Sequence, residues 1–116
     1  MEFHVIAWPI QKKECLLVLP PERWQRALDK LQGNSLNDRG HAAFEREIAR
    51  TSAPLALDKV GRLCLPDNLT ELAGIDDEAL LVGRVNKFEI WSPKRFKATH
   101  EADAALAHEF AGRIEL

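Results

Sequence analysis

The first half of the chain starts with two short apolar runs around a polar turn. Residues 3–8 are rich in β-branched and aromatic side chains and stop at Pro9, and residues 15–19 form a second run that stops at Pro20. The polar residues 11–14 lie between the two runs. This arrangement predicts a β-hairpin.

Two helices are predicted after the hairpin. Pro21 suits a first helical position, where no N–H is needed, and Gly33 ends this segment. Ser35 or Asn37 is the expected N-cap of the second helix, and residues 52–54 are expected to break it. The apolar residues of both segments recur at helical spacing: Trp24, Ala27, Leu28 and Leu31 in the first, Phe44 and Ile48 in the second.

The second half begins with a predicted strand, a tight turn and a second strand. Leu55 and Leu57 alternate up to a turn at residues 58–61, and residues 62–65 are expected to continue as the second strand. A short helix is predicted over residues 66–72. Gly74 closes that helix.

The last third of the chain predicts another hairpin and a terminal helix. Residues 78–83 and 87–91 are the expected strands of this hairpin, around residues 85–86. Ser92 and Pro93 are suited to the N-cap and first turn of the terminal helix.

Residues 16–24 align without gaps on residues 88–96 at an offset of 72 positions. Pro21 then meets Pro93, and both stretches predict a strand, a proline-started turn and a helix. Identity is low, yet the common order of elements favours a duplication. We expect a degenerate first repeat at 1–53, with a hairpin and two helices, and a second repeat at 54–116. Subtracting 72 from position 62 gives a position before Met1. The first repeat therefore lacks a copy of the 58–72 element here, either because that element was lost or because this sequence starts after it.

The turn at residues 58–62 is the principal candidate site. Gly61 supplies a residue that accepts positive φ, and Asp58 can hydrogen-bond the amides of its own turn. Arg62 leaves the turn where a guanidinium can contact a phosphate or a guanine edge, and Lys59 offers a point charge at the tip. An Asp58–Arg62 ion pair that only stabilises the hairpin is an equally valid interpretation of this spacing.

Charge by itself does not favour nucleic acid as a partner. The formal net charge is −2, from 16 basic and 18 acidic residues, whereas nucleic-acid-binding modules are usually basic. Basic residues nevertheless cluster in one stretch that holds Glu89 as its single acid. They are Arg84, Lys87, Lys94, Arg95 and Lys97. Such a patch can bind phosphate if an oligomer repeats it, although on charge alone an ordinary solvated face is the preferred interpretation.

Other features argue against a membrane protein or an enzyme. The chain has neither the ~18-residue apolar run of a membrane span nor a secretory signal, so a cytoplasmic protein is expected. Cys15 and Cys64 are expected to be two small buried hydrophobes in a reducing compartment. The scattered histidines make no metal-ligand pattern, and there is no nucleophile elbow or phosphate-binding glycine loop. No cofactor, metal or small-molecule substrate is expected.

Residues 58–66 resemble the Asp-x-x-x-Arg strand-turn signature of the MraZ family. Residues 82–92 resemble the second block of that family, down to Asn-Lys-Phe-Glu-Ile-Trp at 86–91. The order and spacing of both blocks also fit. The specific resemblance covers residues 55–96, and a weaker one extends back to Trp8.

The resemblance implies an α+β fold: an AbrB-like swapped-hairpin β-barrel with flanking helices. It implies a ring-forming homo-oligomer that regulates transcription by binding direct repeats of double-stranded DNA, in the promoter of a division and cell-wall gene cluster. The family motif implicated in DNA contact maps here onto Asp58 and Arg62 alone. The expected DNA-binding residues are therefore Lys59, Arg62, Arg84 and Lys87, with Asp58 and Gly61 shaping the turn.

Two other functions fit the same fold. Because the first repeat lacks the motif, the chain could be an assembly module that oligomerises without binding DNA. It could also be an antitoxin-like partner of a toxin, since the same fold group includes such proteins.

Overall fold

The computed structural model describes residues 2–32 and 38–114, which form five strands and four helices. The strands are β1 (Glu2–Trp8), β2 (Cys15–Leu19), β3 (Ser52–Ala56), β4 (Leu80–Gly83) and β5 (Phe88–Trp91). The helices are α1 (Pro21–Leu31), α2 (Arg39–Arg50), α3 (Asp67–Ala73) and α4 (Pro93–Ala111). The expected α+β class is confirmed. No helix among these described ranges is both long and apolar enough to cross a membrane.

All five strands belong to one antiparallel sheet with the order β3-β1-β2-β5-β4. The hairpins β1–β2 and β4–β5 lie side by side because β2 pairs with β5. Strand β3, from the middle of the chain, pairs with β1 instead of with the second hairpin. The sheet is open, and the expected barrel is not closed within this part of one chain.

Helices cover both faces of the sheet because successive strand residues point to opposite faces. On one face, α3 inserts Leu69 against Val5 and Leu16, all three fully buried. On the other face, Trp24 of α1 and Ile48 of α2 pack against the strand residues whose side chains point the opposite way. These strand residues are Ile6, Leu17 and Leu19. The core of the molecule is therefore centred on β1 and β2.

The first hairpin and the start of α1 at Pro21 agree with the sequence-based prediction, and Gly33, the predicted end of that helix, lies outside the described residues. The N-cap of α2 is Asp38, whose side chain accepts hydrogen bonds from the main-chain N–H groups of Gly40 and His41. The expected caps, Ser35 and Asn37, lie outside the described residues. Helix α2 ends at Arg50, before the predicted break at residues 52–54, and those residues begin strand β3. Proline is tolerated at position 54 since β3 is an edge strand.

The prediction of a second strand over residues 62–65 was wrong. A single bridge joins Leu57 to Leu63, and the chain then runs irregularly to α3. The N–H of Arg62 bonds the Asp58 carboxylate instead of a strand ladder. Leu63 and Leu65 still pack against the core. The alternating apolar residues of this segment are therefore packed against the core, although the segment does not pair as a strand.

The rest of the second half follows the prediction. Gly74 ends α3 in the left-handed region at φ +68°, and the hydroxyl of Ser92 caps α4 by accepting from the N–H of Arg95. The second half of α4 is exposed along its whole length.

The two cysteines differ. Cys15 is buried as expected, and burial raises its thiol pKa to about 12. The expectation for Cys64 was wrong, because Cys64 is exposed in the irregular segment before α3, where no strand ladder orients it inwards.

The tryptophans also have unlike surroundings. Trp91 is buried, and the indole of Trp24 stacks on the His4 ring with centroids 3.7 Å apart. Trp8 is partly exposed and lines an apolar groove with residues of α1 and α2. Of the three tryptophans, Trp91 is therefore the one whose role is core packing.

Candidate nucleic-acid interface

The turn after β3 is held by the carboxylate of Asp58. Its Oδ1 accepts from the main-chain N–H groups of Val60 and Arg62 at 3.0 and 2.8 Å. Main-chain bonds close the same turn, from the Asp58 N–H to the Arg62 carbonyl at 2.9 Å and from the Gly61 N–H to the Asp58 carbonyl at 3.1 Å. Gly61 adopts φ +83°, as the turn requires. We call residues 58–62 the Asp58 corner.

Arg62 is both anchored and exposed. Its Nε donates to Oδ2 of Asp58 at 2.7 Å, yet 79% of its side chain is accessible to solvent. In the part of the chain that the structure describes, no hydrogen bond is made by its two terminal amino groups. The ion pair therefore orients the guanidinium and leaves its outer edge available to a phosphate or a base.

The pKa of Asp58 is lowered from its ordinary value. The largest cause is the hydrogen bond from the main-chain N–H of Arg62, followed by the bond from its guanidinium. Both favour the ionised carboxylate. Asp58 is therefore negative at neutral pH, the state in which its carboxylate accepts the hydrogen bonds that close the corner.

Lys59 and Val60 form the exposed tip of the corner. Val60 is a large apolar residue that projects into solvent beside the cation. A phosphate contact by Lys59 stays a prediction.

A second cationic turn joins β4 to β5. The N–H of Arg84 donates to the Lys87 carbonyl at 2.8 Å, and Val85 lies at the fully exposed tip with φ +61°, a region rare for β-branched residues. Nη1 of Arg84 lies 3.3 Å from Oε2 of Glu89, and Nζ of Lys87 donates to Oδ1 of Asn86 at 3.1 Å. We call residues 84–87 the second turn.

Glu89 also belongs to this site, although its position in the sequence predicted no role for it beyond the single acid of the basic stretch. Besides Arg84 it accepts from the indole N–H of Trp91 at 2.8 Å, so the carboxylate is held from two sides. Residues two apart on a strand share a face, which is the signal that could have linked Glu89 to Trp91. Arg84 is less open to a ligand than Arg62, because 44% of its side chain is accessible to solvent, against 79% for Arg62.

The strand directions place both cationic turns at the same end of the sheet. Strand β1 is antiparallel to β2 and β3, and β5 is antiparallel to β2 and β4, so β3 and β4 run in the same direction. Their C-terminal ends lead into the Asp58 corner and the second turn. These strands are the two edges of the sheet, four strand spacings or about 19 Å apart. The four predicted DNA-binding residues therefore lie in two separate places, Lys59 and Arg62 at one edge of the sheet and Arg84 and Lys87 at the other.

Arg95 does not belong to the cationic surface that the charge pattern suggested. Its Nη1 donates to the carbonyl of Leu72 at 2.8 Å and to that of Lys13 at 3.2 Å. This guanidinium ties the start of α4 to the end of α3 and to the first hairpin. Lys94 and Lys97, on the same helix, are exposed. The basic stretch of the sequence is therefore divided between a structural residue and surface residues.

Among the residues described, no group of three or more His, Cys, Asp or Glu side chains could hold a metal ion. The site consists of hydrogen-bonded turns that present cations. Fold and site together define a small α+β protein with exposed cationic turns at one end of its sheet.

Comparison with known proteins places the chain in a family. A sequence model described as "MraZ protein, putative antitoxin-like" matches residues 48–115. A protein of Thermomicrobium roseum named transcriptional regulator MraZ is 34% identical over 100 residues, covering 86% of this chain and 70% of the relative. Proteins of the same name from Symbiobacterium thermophilum and Pseudomonas putida are each 33% identical, over 100 and 95 residues. These two matches cover 86% and 82% of this chain, and 72% and 63% of the relatives.

The chain belongs to the MraZ family. The similar proteins are named transcriptional regulators, and the family is not one of enzymes.

Proposed function

We propose that this chain is a DNA-binding transcriptional regulator. It acts in the cytoplasm, at the nucleoid, as a homo-oligomer on direct repeats in the promoter of a division and cell-wall gene cluster. The observation that carries the proposal is the state of Arg62: its Nε is fixed by Asp58, while 79% of the side chain is exposed. The names of the relatives support the same function.

A guanidinium held in this way suits DNA. Its free edge has paired donors that match two phosphate oxygens or the O6 and N7 atoms of guanine. Because Asp58 already restricts the side chain, less rotamer entropy is lost on binding than for an unrestrained arginine. Lys59, three residues before Arg62, adds a phosphate contact, and Arg84 and Lys87 supply weaker ones from the other edge of the sheet.

Assembly is the second part of the proposal. Few cations per chain give weak binding, and the net charge of −2 opposes it. Identical sites on one oligomer, spaced to match repeated DNA, raise affinity through effective concentration. Support comes from α4 and the residues after it, where Leu106, Phe110 and Ile114 are exposed at four-residue intervals and form one apolar stripe. A closed ring is the arrangement that the family resemblance implies.

The direct test is the affinity of an Arg62→Ala variant for a labelled promoter fragment with direct repeats, measured by fluorescence anisotropy over a range of salt concentrations. We expect a loss of about 1–3 kcal/mol if Arg62 pairs with a base, and a steep fall in affinity with rising salt for the unaltered protein. If Arg62 contacts only phosphate, the variant should weaken binding to all sequences alike and reduce the salt slope.

The chain offers a matched control. Arg50 pairs with Glu47 three residues before it on α2 and is also largely exposed, and it lies just before the N-terminal end of β3, at the opposite end of the sheet from both cationic turns. Arg50→Ala should leave DNA affinity unchanged. Equal affinities for the Arg62→Ala variant and the unaltered protein would remove Arg62 from the interface. An oligomer that ignores the DNA even at low salt would favour an assembly module instead.

A further inference from the structure

The two hairpins are related by a local two-fold axis at the centre of the sheet. With the offset of 72 residues, Leu17 corresponds to Glu89, and these two residues lie directly opposite each other where β2 pairs with β5. The neighbouring pairs, Leu16 with Ile90 and Val18 with Phe88, exchange under the same operation. Strands β2 and β5 are therefore equivalent, and so are their partners β1 and β4.

The equivalent residues of β1 and β4 follow from the ladders. Val5 pairs with Val18, and Leu81 pairs with Ile90, so Leu81 occupies the position of Val5. By the same rule Gly83 corresponds to Ala7. Val5 and Ala7 are 0% exposed, whereas Leu81 is 63% exposed and Gly83 is also exposed. One of two equivalent strands is buried and the other lies open.

The difference arises from β3. It pairs with the outer side of β1, matching Val5 with Ala53 and Phe3 with Leu55, and the Ala7 N–H donates to the Thr51 carbonyl. Among the described residues no strand takes the corresponding place beside β4. Within residues 2–32 and 38–114, the sheet is thus complete at one edge and lacks the symmetric sixth strand at the other.

Main-chain N–H and C=O groups of β4 point towards the position that a sixth strand would occupy. The Arg84 N–H bonds the Lys87 carbonyl, and bonded pairs alternate along an antiparallel ladder, so Val82 and Leu80 face β5. The N–H and C=O groups of Leu81 and Gly83 then face outwards. The β3 edge is blunted by Pro54, while residues 80–83 contain no proline or charge that would discourage pairing.

We propose that the outer edge of β4 binds an extended segment of the β3 type, donated by a separate polypeptide of this family. The segment has the chemistry of residues 51–57, with apolar residues in alternation, and it pairs antiparallel with β4 and covers Leu81. Family members contain chain beyond the part matched here, since the match covers 70% of the Thermomicrobium roseum relative. A donated segment that continues as residues 58–62 do would also bring a second Asp58-type corner to the sheet.

The test uses the full chain and a synthetic peptide of residues 51–66, with serine in place of Cys64. We expect one peptide to bind per chain in titration calorimetry. Hydrogen exchange measured by NMR should then slow at the Leu81 and Gly83 amides, while Leu80 and Val82, already bonded to β5, change little. The amide of Val5 should keep its protection, because the chain's own β3 stays in place.

Two modified peptides provide matched controls. In β3 the N–H groups of Ala53 and Leu55 face β1, whereas those of Ser52 and Ala56 face away. Methylating the nitrogens of Ala53 and Leu55 should weaken binding at least tenfold, and methylating those of Ser52 and Ala56 should not.

Three outcomes would overturn the proposal. The first is no binding, or equal binding by both methylated peptides. The second is loss of Val5 protection, which would mean that the peptide displaces β3 from β1. The third is a peptide-free oligomer whose Leu81 amide is already protected, which would mean that a second copy pairs through β4 itself. The readout is independent of DNA, so failure here leaves the Arg62 proposal standing.

Discussion

Asp58 bonds both the main chain and the side chain of Arg62. Oδ1 accepts from the Arg62 N–H at 2.8 Å and Oδ2 accepts from its Nε at 2.7 Å. One carboxylate therefore fixes the course of the chain after the turn and the direction of the guanidinium. A stabilising ion pair and a DNA-contacting arginine, which were alternatives at the level of sequence, are compatible in this geometry.

The ionisation of Asp58 should govern the corner. Its folded pKa lies below the ordinary value, so the stability it contributes is present above the unfolded pKa and is lost as pH falls through the folded pKa. We expect the Asp58 carboxyl carbon, followed by NMR, to titrate below the usual aspartate range. In an Arg62→Ala variant the midpoint should rise only part of the way back, since the main-chain bond remains. An unshifted midpoint in the unaltered protein would contradict the hydrogen-bond geometry.

Replacing Gly61 should strain the corner without a steric clash. At φ +83° a side chain costs about 1–2 kcal/mol, although no atom of the described residues lies within 4 Å of an added Cβ. We expect Gly61→Ala to lower the free energy of unfolding by that amount in urea denaturation and to weaken DNA binding. Gly83→Ala is the control, because its Cβ also meets open space but its φ is not positive. Equal effects of the two substitutions would argue against a strained corner.

Arg95 should matter for stability rather than for DNA. Its guanidinium serves the carbonyls of Leu72 and Lys13, and hydrogen bonds of charged groups are worth about 1.5–3 kcal/mol each. We expect Arg95→Ala to lower the free energy of unfolding by about 2 kcal/mol in urea denaturation. The exposed neighbour Lys94 should tolerate alanine within about 0.5 kcal/mol. If the Arg95→Ala protein keeps its stability but binds DNA more weakly, Arg95 contacts DNA and is not a structural residue.

The apolar stripe after the middle of α4 should mediate assembly. Leu106 and Phe110 are both more than half exposed, so charged residues there disturb no core of the single chain. We expect the Leu106→Glu, Phe110→Glu double variant to shift the protein to a smaller species in light scattering after gel filtration. Ala105→Glu, on another side of the same helix, should not. If the double variant keeps the size of the unaltered protein, the interface lies elsewhere.

Local patterns predicted much of this protein. Both hairpins, α1, α3, α4 and the cap at Ser92 depend on residues a few positions apart, whose spacing and turn chemistry act within one element. The Asp58 corner belongs to the same class, because all its bonds join residues at most four positions apart. The predictions of a strand at residues 62–65 and of a buried Cys64 failed because they depend on contacts with distant segments. Alternating apolar residues indicate that side chains are buried, but they do not show which strand, if any, pairs with them.

The sequence by itself determined most of the helices and strands and the bonds within the Asp58 corner, since these follow from neighbours along the chain. Only the tertiary structure decided that β3 joins the first hairpin, that Arg95 is structural and that Leu81 lies open while its counterpart Val5 is buried. Those outcomes depend on contacts between segments far apart in sequence. Which long-range pairing forms is settled by the apolar surface that the whole sheet and its helices bury together, and no single stretch of residues carries that information.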